Sequence, residues 1–308
     1  MTRAGRSGGR DSSEIIPLFP LETPLFPGAV LPLQIFEPRY RRLIADLTAL
    51  PADAARRFGV VAIRQGWEVE RIAPAEALYD IGCTAVLQVI APQPDGGYQV
   101  AAVGGERFRL LDVLLPAEDA GPAADEEGGE PPYLRAVVEW LAEEEAAEEA
   151  AGDADGLAGD AAALVSPEVA SDVARGSLGV LAGNVRDLFA RYVADVAVRQ
   201  GGAPEGLPDE VLDALSPDDL PDDEAAGEVA ATAARLREVS DDARGLSYLV
   251  ASAALLTTED RQALLAESAT RRRLALESRL LRRELTLLRT LGAVPVPLRQ
   301  FATPMTPN

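Results

Sequence analysis

The sequence predicts an α+β fold in two parts: a small, closed or nearly closed N-terminal β-barrel with one early helix, followed by a C-terminal α-helical bundle. Three observations predict it. Residues 14–141 alternate short apolar runs with glycine and proline turns, the signature of a barrel of short strands. From Pro167 the apolar spacing changes to the three-and-four step of helices. Between them, Glu143 to Asp160 is almost wholly Ala, Glu, Asp and Gly with no basic residue, too poor in apolar surface to order itself. The expected organisation is a disordered lead-in (1–13), the β-domain (14–141), an acidic linker (142–166), the bundle (167–292) and an extended tail (293–308) rich in proline.

The chain is organised around Ile15 to Leu47. Leu31, Leu33 and Ile35 alternate with Pro32 and Gln34, the period of a strand with one buried face. Pro17, Pro20, Pro24, Pro27 and Pro32 each lack an N–H, so this irregular strand must follow a sheet edge or be broken by bulges and turns. Pro38 suits a first helical turn, and Tyr40, Leu43, Ile44 and Leu47 then mark one helical face. Phe58 to Ile63 is a short, wholly apolar strand, and Trp67 to Glu70 suits a short return strand. In the run from Leu78 to Ile90, Ile81, Cys83, Ala85, Leu87 and Val89 alternate with their neighbours. Asp95-Gly96-Gly97 makes a hairpin turn, because glycine accepts positive φ without strain. Tyr98 to Val103 is its partner strand. Gly104-Gly105 then bends into a further strand, Arg107 to Leu115, and Tyr133 to Trp140 is the last.

In the second part, Val185, Leu188, Phe189, Tyr192, Val193 and Val196 form one apolar stripe, and Leu246, Leu249, Val250 and Ala253 another. Thr257 to Asp260 caps a short helix carrying Leu264 and Leu265. Leu274, Leu281 and Leu288 lie along a long Leu/Arg helix ending at Gly292. About four helices make a bundle.

Composition excludes several function classes. The chain has no His, and every basic residue is Arg. It therefore has no Ser-His-Asp or Cys-His site, no Schiff-base or Ser-Lys nucleophile and no P-loop lysine. One cysteine, Cys83, forms no internal disulfide and no metal cluster, in keeping with a reducing cytoplasm. With no His or Lys to lower its pKa, it reads as an inert core thiol. No apolar run reaches the ~20 residues of a membrane span, and the N-terminus has no signal-peptide core. A net charge of −21 disfavours nucleic acid and anionic membrane surfaces. No cofactor and no metal is expected.

Several motifs then converge on one family. Pro-Leu-Phe-Pro-Leu (17–21), Phe-Pro-Gly (26–28), Leu-Pro-Leu (31–33) and Ile-Phe-Glu-Pro-Arg-Tyr (35–40) resemble the opening of the Lon substrate-binding (Lon N-terminal) domain. Phe58-Gly59-Val60-Val61, Asp80 to Ala85, and Val103 to Phe108 follow in that family's order, and the pattern from Leu249 to Leu291 resembles its helical half. The resemblance covers roughly Glu14 to Leu291, with the acidic linker and residues 201–224 departing from it. It is nearest to stand-alone bacterial members. It implies a PUA-like β pseudobarrel, no ATPase or peptidase module, and a role in recognising polypeptide segments. The implied partners are unfolded or extended polypeptides and an ATP-dependent protease. Two other readings stay open: an RNA-binding PUA-like protein, and a small-molecule-binding barrel, since cereblon carries a related domain.

The candidate binding residues each have a plainer alternative. Phe19, Leu25, Phe26 and Phe36 lie in the proline-kinked segment, either as an apolar patch for unfolded chains or as barrel core. Glu37 and Arg39, beside Tyr40, form a polar rim or simply a charged helix start. Trp67 and Tyr79 line a groove or stand as rim aromatics with a wet polar edge. Arg271, Arg272, Arg273, Arg279, Arg282 and Arg283 form a basic helix, either a binding face for RNA or an acidic partner or, the preferred reading, a solvated face pairing with Glu277 and Glu284 or with the acidic linker. The acidic pairs in 143–149 lack a setting for acid–base work, and no catalytic residue is expected.

Overall fold

Pro17 and Pro20 lie in the middle of a strand, β1 (Glu14–Leu21), that is not at a sheet edge. The strand manages this by changing neighbours part-way. Residues 14–17 pair antiparallel with β6 (Arg135–Trp140), and residues 18–21 pair parallel with β3 (Arg57–Ala62). Each half has one ladder partner, so a proline nitrogen can face the side away from it, where no donor is needed. In this computed structural model the described residues are 13–51, 54–64, 75–116, 131–142, 167–199 and 242–291, with side chains given over 176–196 of the first long helix. The chain divides into two units, Met1–Ala142 and Glu143–Asn308, each with its own core.

The first unit also contains β2 (Val30–Ile35), α1 (Pro38–Ala49), a 3-10 turn (Ala75–Ala77), β4 (Ile81–Pro92) and β5 (Tyr98–Leu114). The sheet order is β2-β5-β4-β3-β1-β6, and β6 returns to pair with the far half of β5. Five strands thus close a ring, and β2 stands outside it as an edge on β5. Helix α1 begins at Pro38 and buries Tyr40, Leu43, Ile44 and Leu47, the face predicted. Asp46 takes a bond from Arg42 on one oxygen (2.7 Å) and from the Tyr133 hydroxyl on the other (2.9 Å), which ties α1 to the approach to β6.

Three expectations are corrected here. The stretch 15–35 is two strands, not one; Gly28, at φ 75°, turns the chain between them, and its N–H bonds Gly104 O (2.8 Å). Residues 98–114 are one strand, not two meeting at Gly104-Gly105. Gly104 stays in the ladder because a side chain there would strike the Phe26 carbonyl and Pro27. Along β4 the predicted alternation fails after Leu87. A bulge between Leu87 and Val89 shifts the register, so Val89 turns outward at 58% exposure while Ile90 takes the inward parity opposite Val100. A second bulge, between Leu110 and Asp112 of β5, leaves Leu111 exposed in the same way. The return strand read at Trp67 to Glu70 lies outside the described residues.

The three glycine motifs meet in the barrel interior. The Phe108 ring is fully buried and lies over Gly59 and Gly82. A Cβ on Gly59 would stand 2.9 Å from the Phe108 ring and 2.8 Å from Ile16; on Gly82 it would meet the ring and Val60 O. Ile16, Leu18, Val61, Leu78, Ala136 and Val138 complete this core.

The second unit contains α2 (Pro167–Arg199), α3 (Ala243–Ala253), α4 (Thr258–Ala266) and α5 (Thr270–Leu291). Leu274, Leu281 and Leu288 of α5 are buried with Val185, Phe189 and Tyr192 of α2 and with Leu246 and Val250 of α3. Thr257 accepts from Asp260 N at the start of α4, the cap read from sequence, and Asp242 accepts from Arg244 N at the start of α3. The arginine face of α5 is not uniformly solvated. Arg273 is fully buried, its guanidinium 4.0 Å from the Tyr248 ring centre and donating to Ser247 Oγ (2.8 Å). Glu277 is buried beside it, and neither of its carboxylate oxygens accepts a hydrogen bond. Arg283 pairs with Asp260 and Glu284, as helical spacing and a neighbouring cap allow.

Candidate functional site

The start of α1 is built on a column of rings. Phe58 of β3 touches Phe19 of β1 (centroids 5.7 Å), and Phe19 stacks on Tyr40 of α1 (4.0 Å, 26°). The Arg39 guanidinium covers the outer side of Tyr40 at 4.6 Å, and Glu37 binds Arg39 through Nε (2.9 Å) and the terminal nitrogen (2.8 Å). Glu37 occupies the N-cap position but does not cap the helix; its carboxylate goes to Arg39 instead. Burial, more than the neighbouring charges, pushes the Tyr40 hydroxyl above its ordinary pKa. The column runs from a dry core at Phe58 to a charge pair that is about 40% exposed.

Of the predicted binding residues, the structure brings Phe36, Glu37 and Arg39 together at the surface. Phe36 follows β2 directly and is 71% exposed. Phe19, Leu25 and Phe26 are buried and serve the barrel core, so the plainer of their two readings describes them. Tyr79 belongs to a different cluster, half-buried under Arg64 (4.6 Å), which also pairs with Asp80. Trp67 lies outside the described residues.

The β2 edge adjoins Phe36. Gly104 N–H donates to Ala29 O (2.8 Å), which sets the parity of the β2–β5 ladder. Residues 31, 33 and 35 turn their backbone groups toward β5, and residues 30, 32 and 34 turn theirs outward. Pro32, having no N–H to give, sits where β5 asks for none. The outward edge therefore offers three carbonyls and the N–H groups of Val30 and Gln34. The flanking side chains are mostly apolar: Val30 (49% exposed), Pro32 and Phe36 on one face, with exposed Gln34 between the last two, and half-buried Leu31 and Leu33 on the other. Across the sheet, Pro32 is in register with Ala101 and then Val89, which extends the exposed apolar strip over three strands.

A concave surface missed in the sequence lies on the α1 side of the same sheet. This groove of about 690 Å³ runs between Ala45 and Ala49 of α1 and Leu87, Ile90 and Tyr98 of β4 and β5. The available signal was the pair of small residues four apart beside the buried face of α1.

Cys83 is buried, and burial pushes its thiol up to about 12, against smaller opposing effects from a backbone hydrogen bond at Gly105 and from Arg107. Its thiol is expected to resist maleimide in the native protein at mildly alkaline pH and to react fully once denatured; native labelling within minutes would contradict this placement. Among the described residues no cluster of His, Cys, Asp and Glu could hold a metal ion, and no helix is long and apolar enough to cross a membrane.

A family model for the ATP-dependent protease La (LON) substrate-binding domain matches residues 15–283. The chain belongs to the Lon substrate-binding domain family. Lon protease 1 of Herpetosiphon aurantiacus is 26% identical over 280 residues, covering 90% of this chain and 25% of that protein. The chain thus spans a quarter of the length of this curated relative, and the family match is to the Lon substrate-binding domain, not to the ATPase or protease domains. Two solved structures are similar. A Lon N-terminal domain protein from Xanthomonas campestris has 19% identity and a TM-score of 0.43, covering 87% of this chain and 98% of its own. The N-terminal domain of a Mycobacterium avium complex Lon protease has 15% identity and a TM-score of 0.46, covering 89% and 98%. A six-stranded mixed sheet with an early helix, followed by helices, gives this Lon substrate-binding domain its α+β architecture.

Proposed function

We propose that the β-unit recognises polypeptides without cutting them, taking an extended segment as an added strand along β2. The observation that carries this is the β2 edge: outward backbone groups bordered by Leu31 and Leu33 on one face and by Val30, Pro32 and Gln34 on the other, with Phe36 exposed at its end. A strand laid there gains main-chain bonds at Val30 and Gln34, whatever its sequence, and alternate side chains meet Leu31 and Leu33 or Val30 and Phe36. Such contacts favour segments that are extended and apolar, which are the segments an unfolded chain exposes and a folded one hides. Pro32 withholds the central donor, so the edge is weakened as a template for self-pairing. The family supports protein substrates as the ligand class and an ATP-dependent Lon protease as the enzyme that consumes them. The chain itself has neither the His nor the Lys of the common peptidase sites.

The test is fluorescence anisotropy of short labelled peptides taken from a denatured client, with Phe36→Asp and Val30→Asp as variants. Each is expected to weaken binding by roughly tenfold, about 1.4 kcal/mol, with an unchanged melting curve, because both side chains are half or more exposed. Peptide affinity equal to wild type in both folded variants would remove β2 as the site. Tighter binding of total RNA than of any peptide would favour the nucleic-acid reading instead.

A further inference from the structure

The helical unit carries a second concave surface of different chemistry. It is a groove of about 470 Å³ between α2 and α5, floored by Asn184 and Ser278. On α5 it is lined by one stripe, Arg272, Ala275, Leu276, Arg279 and Arg282, whose spacing of three and four places them on one helical face. Leu181 of α2 faces the stripe across the groove. Glu267 also lines the groove, and its carboxylate is paired with Arg272 (3.1 Å) at the end away from Arg279 and Arg282. Arg279 and Arg282 are exposed, and among the described residues neither has a carboxylate partner. Among the described residues these are two guanidinium groups on adjacent turns without a carboxylate partner, in a chain of net charge −21.

We propose that this groove binds an acidic polypeptide segment, with carboxylates on Arg279 and Arg282 and an apolar side chain between α5 and Leu181. The planar fork of each arginine matches carboxylate and phosphate alike, and two other features select a peptide over a phosphate polymer. Leu181, Ala275 and Leu276 give the groove an apolar wall, which a nucleic-acid backbone has nothing to fill. Asn184 spends its Nδ2 on Ser278 Oγ (3.1 Å), which leaves Oδ1 as an acceptor on the floor. A peptide N–H can donate to that acceptor; a phosphate chain has no such donor. Arg279 and Arg282 are ~4.5 Å apart along the helix axis, and Arg272 is ~10.5 Å from Arg279. Arg279 and Arg282 therefore suit carboxylates one or two residues apart in an extended segment. This site is separate from the β2 edge and does not depend on it.

The experiment uses the full chain, a labelled peptide of alternating acidic and leucine residues, and the same peptide with glutamine for glutamate. The acidic peptide is expected to bind, the glutamine peptide at least roughly tenfold more weakly, with affinity falling as salt rises. Arg279→Gln with Arg282→Gln should lose roughly tenfold or more, with unchanged helical circular dichroism, since both side chains are exposed. Phe36→Asp should leave this binding as in wild type, which separates the result from the β2 reading. Equal binding of the two peptides, or undiminished binding by the double arginine variant, would overturn the proposal. So would an oligonucleotide or inorganic polyphosphate that competes more strongly than the acidic peptide.

Discussion

Replacing Phe108 with alanine is expected to destabilise the β-unit by about 3–5 kcal/mol, the range for deleting a fully buried aromatic ring. The ring is 0% exposed and occupies the space that Gly59 and Gly82 leave empty. Those glycines cannot collapse onto the hole, because they have no side chains to move and their strands are fixed by the ladders on either side. The reverse substitution should be comparably severe. In Gly82→Val the new Cβ meets the Phe108 ring and the Val60 carbonyl, and the latter is backbone in the adjoining strand. Combining Gly82→Ala with Phe108→Leu should recover part of the loss, since the two changes share one volume. The readout is tryptophan fluorescence. Both tryptophans of the chain, Trp67 and Trp140, fall within the first unit, and Trp140 stands edge-on to Phe108 at 6.4 Å. A fluorescence midpoint in Phe108→Ala within experimental error of wild type would show that the ring is not the keystone described.

Much of this fold was legible because it rests on local signals. Pro38 with its four-residue apolar face gave α1, Asp95-Gly96-Gly97 gave the hairpin, and Thr257 gave the start of α4. What misled was set by neighbours far along the chain. Gly104-Gly105 looks like a bend, but its role is to let Phe26 and Pro27 approach β5, a contact nearly eighty residues away in sequence. Val89 continues an apolar alternation on paper; a bulge opposite Ala101 and Ala102 turns it to the surface. The parallel pairing of β1 with β3, which lets prolines into the ring, has no local marker at all. The candidate site divides along the same line. Phe36, Glu37 and Arg39 follow a strand and begin a helix, so their exposure could be read from neighbours in sequence. Phe19, Leu25 and Phe26 are buried by β3, α1 and the 22–29 turn acting together, and periodicity within a proline-rich stretch carries no information about that. Arginine spacing on α5 likewise predicted a helix face but not that Arg273 would turn inward while Arg279 and Arg282 stayed out.

That inward turn leads to the second large effect, in the helical unit. Arg273→Ala is expected to cost about 3–5 kcal/mol, the order for deleting a buried charged side chain and leaving its partners unpaired. Ser247 and Thr270 would lose a donor and Tyr248 its cation, and Glu277 would lose the nearby positive charge that opposes its desolvation. Replacing both, Arg273→Met with Glu277→Leu, should recover part of that loss, because the desolvated guanidinium and the unsatisfied buried carboxyl leave together. Glu277 also makes stability depend on pH. Burial raises its carboxyl well above the ordinary value of 4.5, with Arg273 acting in the opposite direction. The folded state then keeps a proton that the unfolded chain releases once pH exceeds about 4.5, so this group's contribution falls as pH rises through that window. Glu277→Gln should match wild type near pH 4 and gain on it steadily as pH rises above the unfolded value, because Gln has no proton to lose. Chemical denaturation followed by far-UV circular dichroism, which the helices dominate, measures each variant against wild type across pH. A constant difference at every pH would mean that Glu277 is ionised alike in both states. An Arg273→Ala cost below about 1 kcal/mol would mean that its buried guanidinium is not what holds α3 to α5.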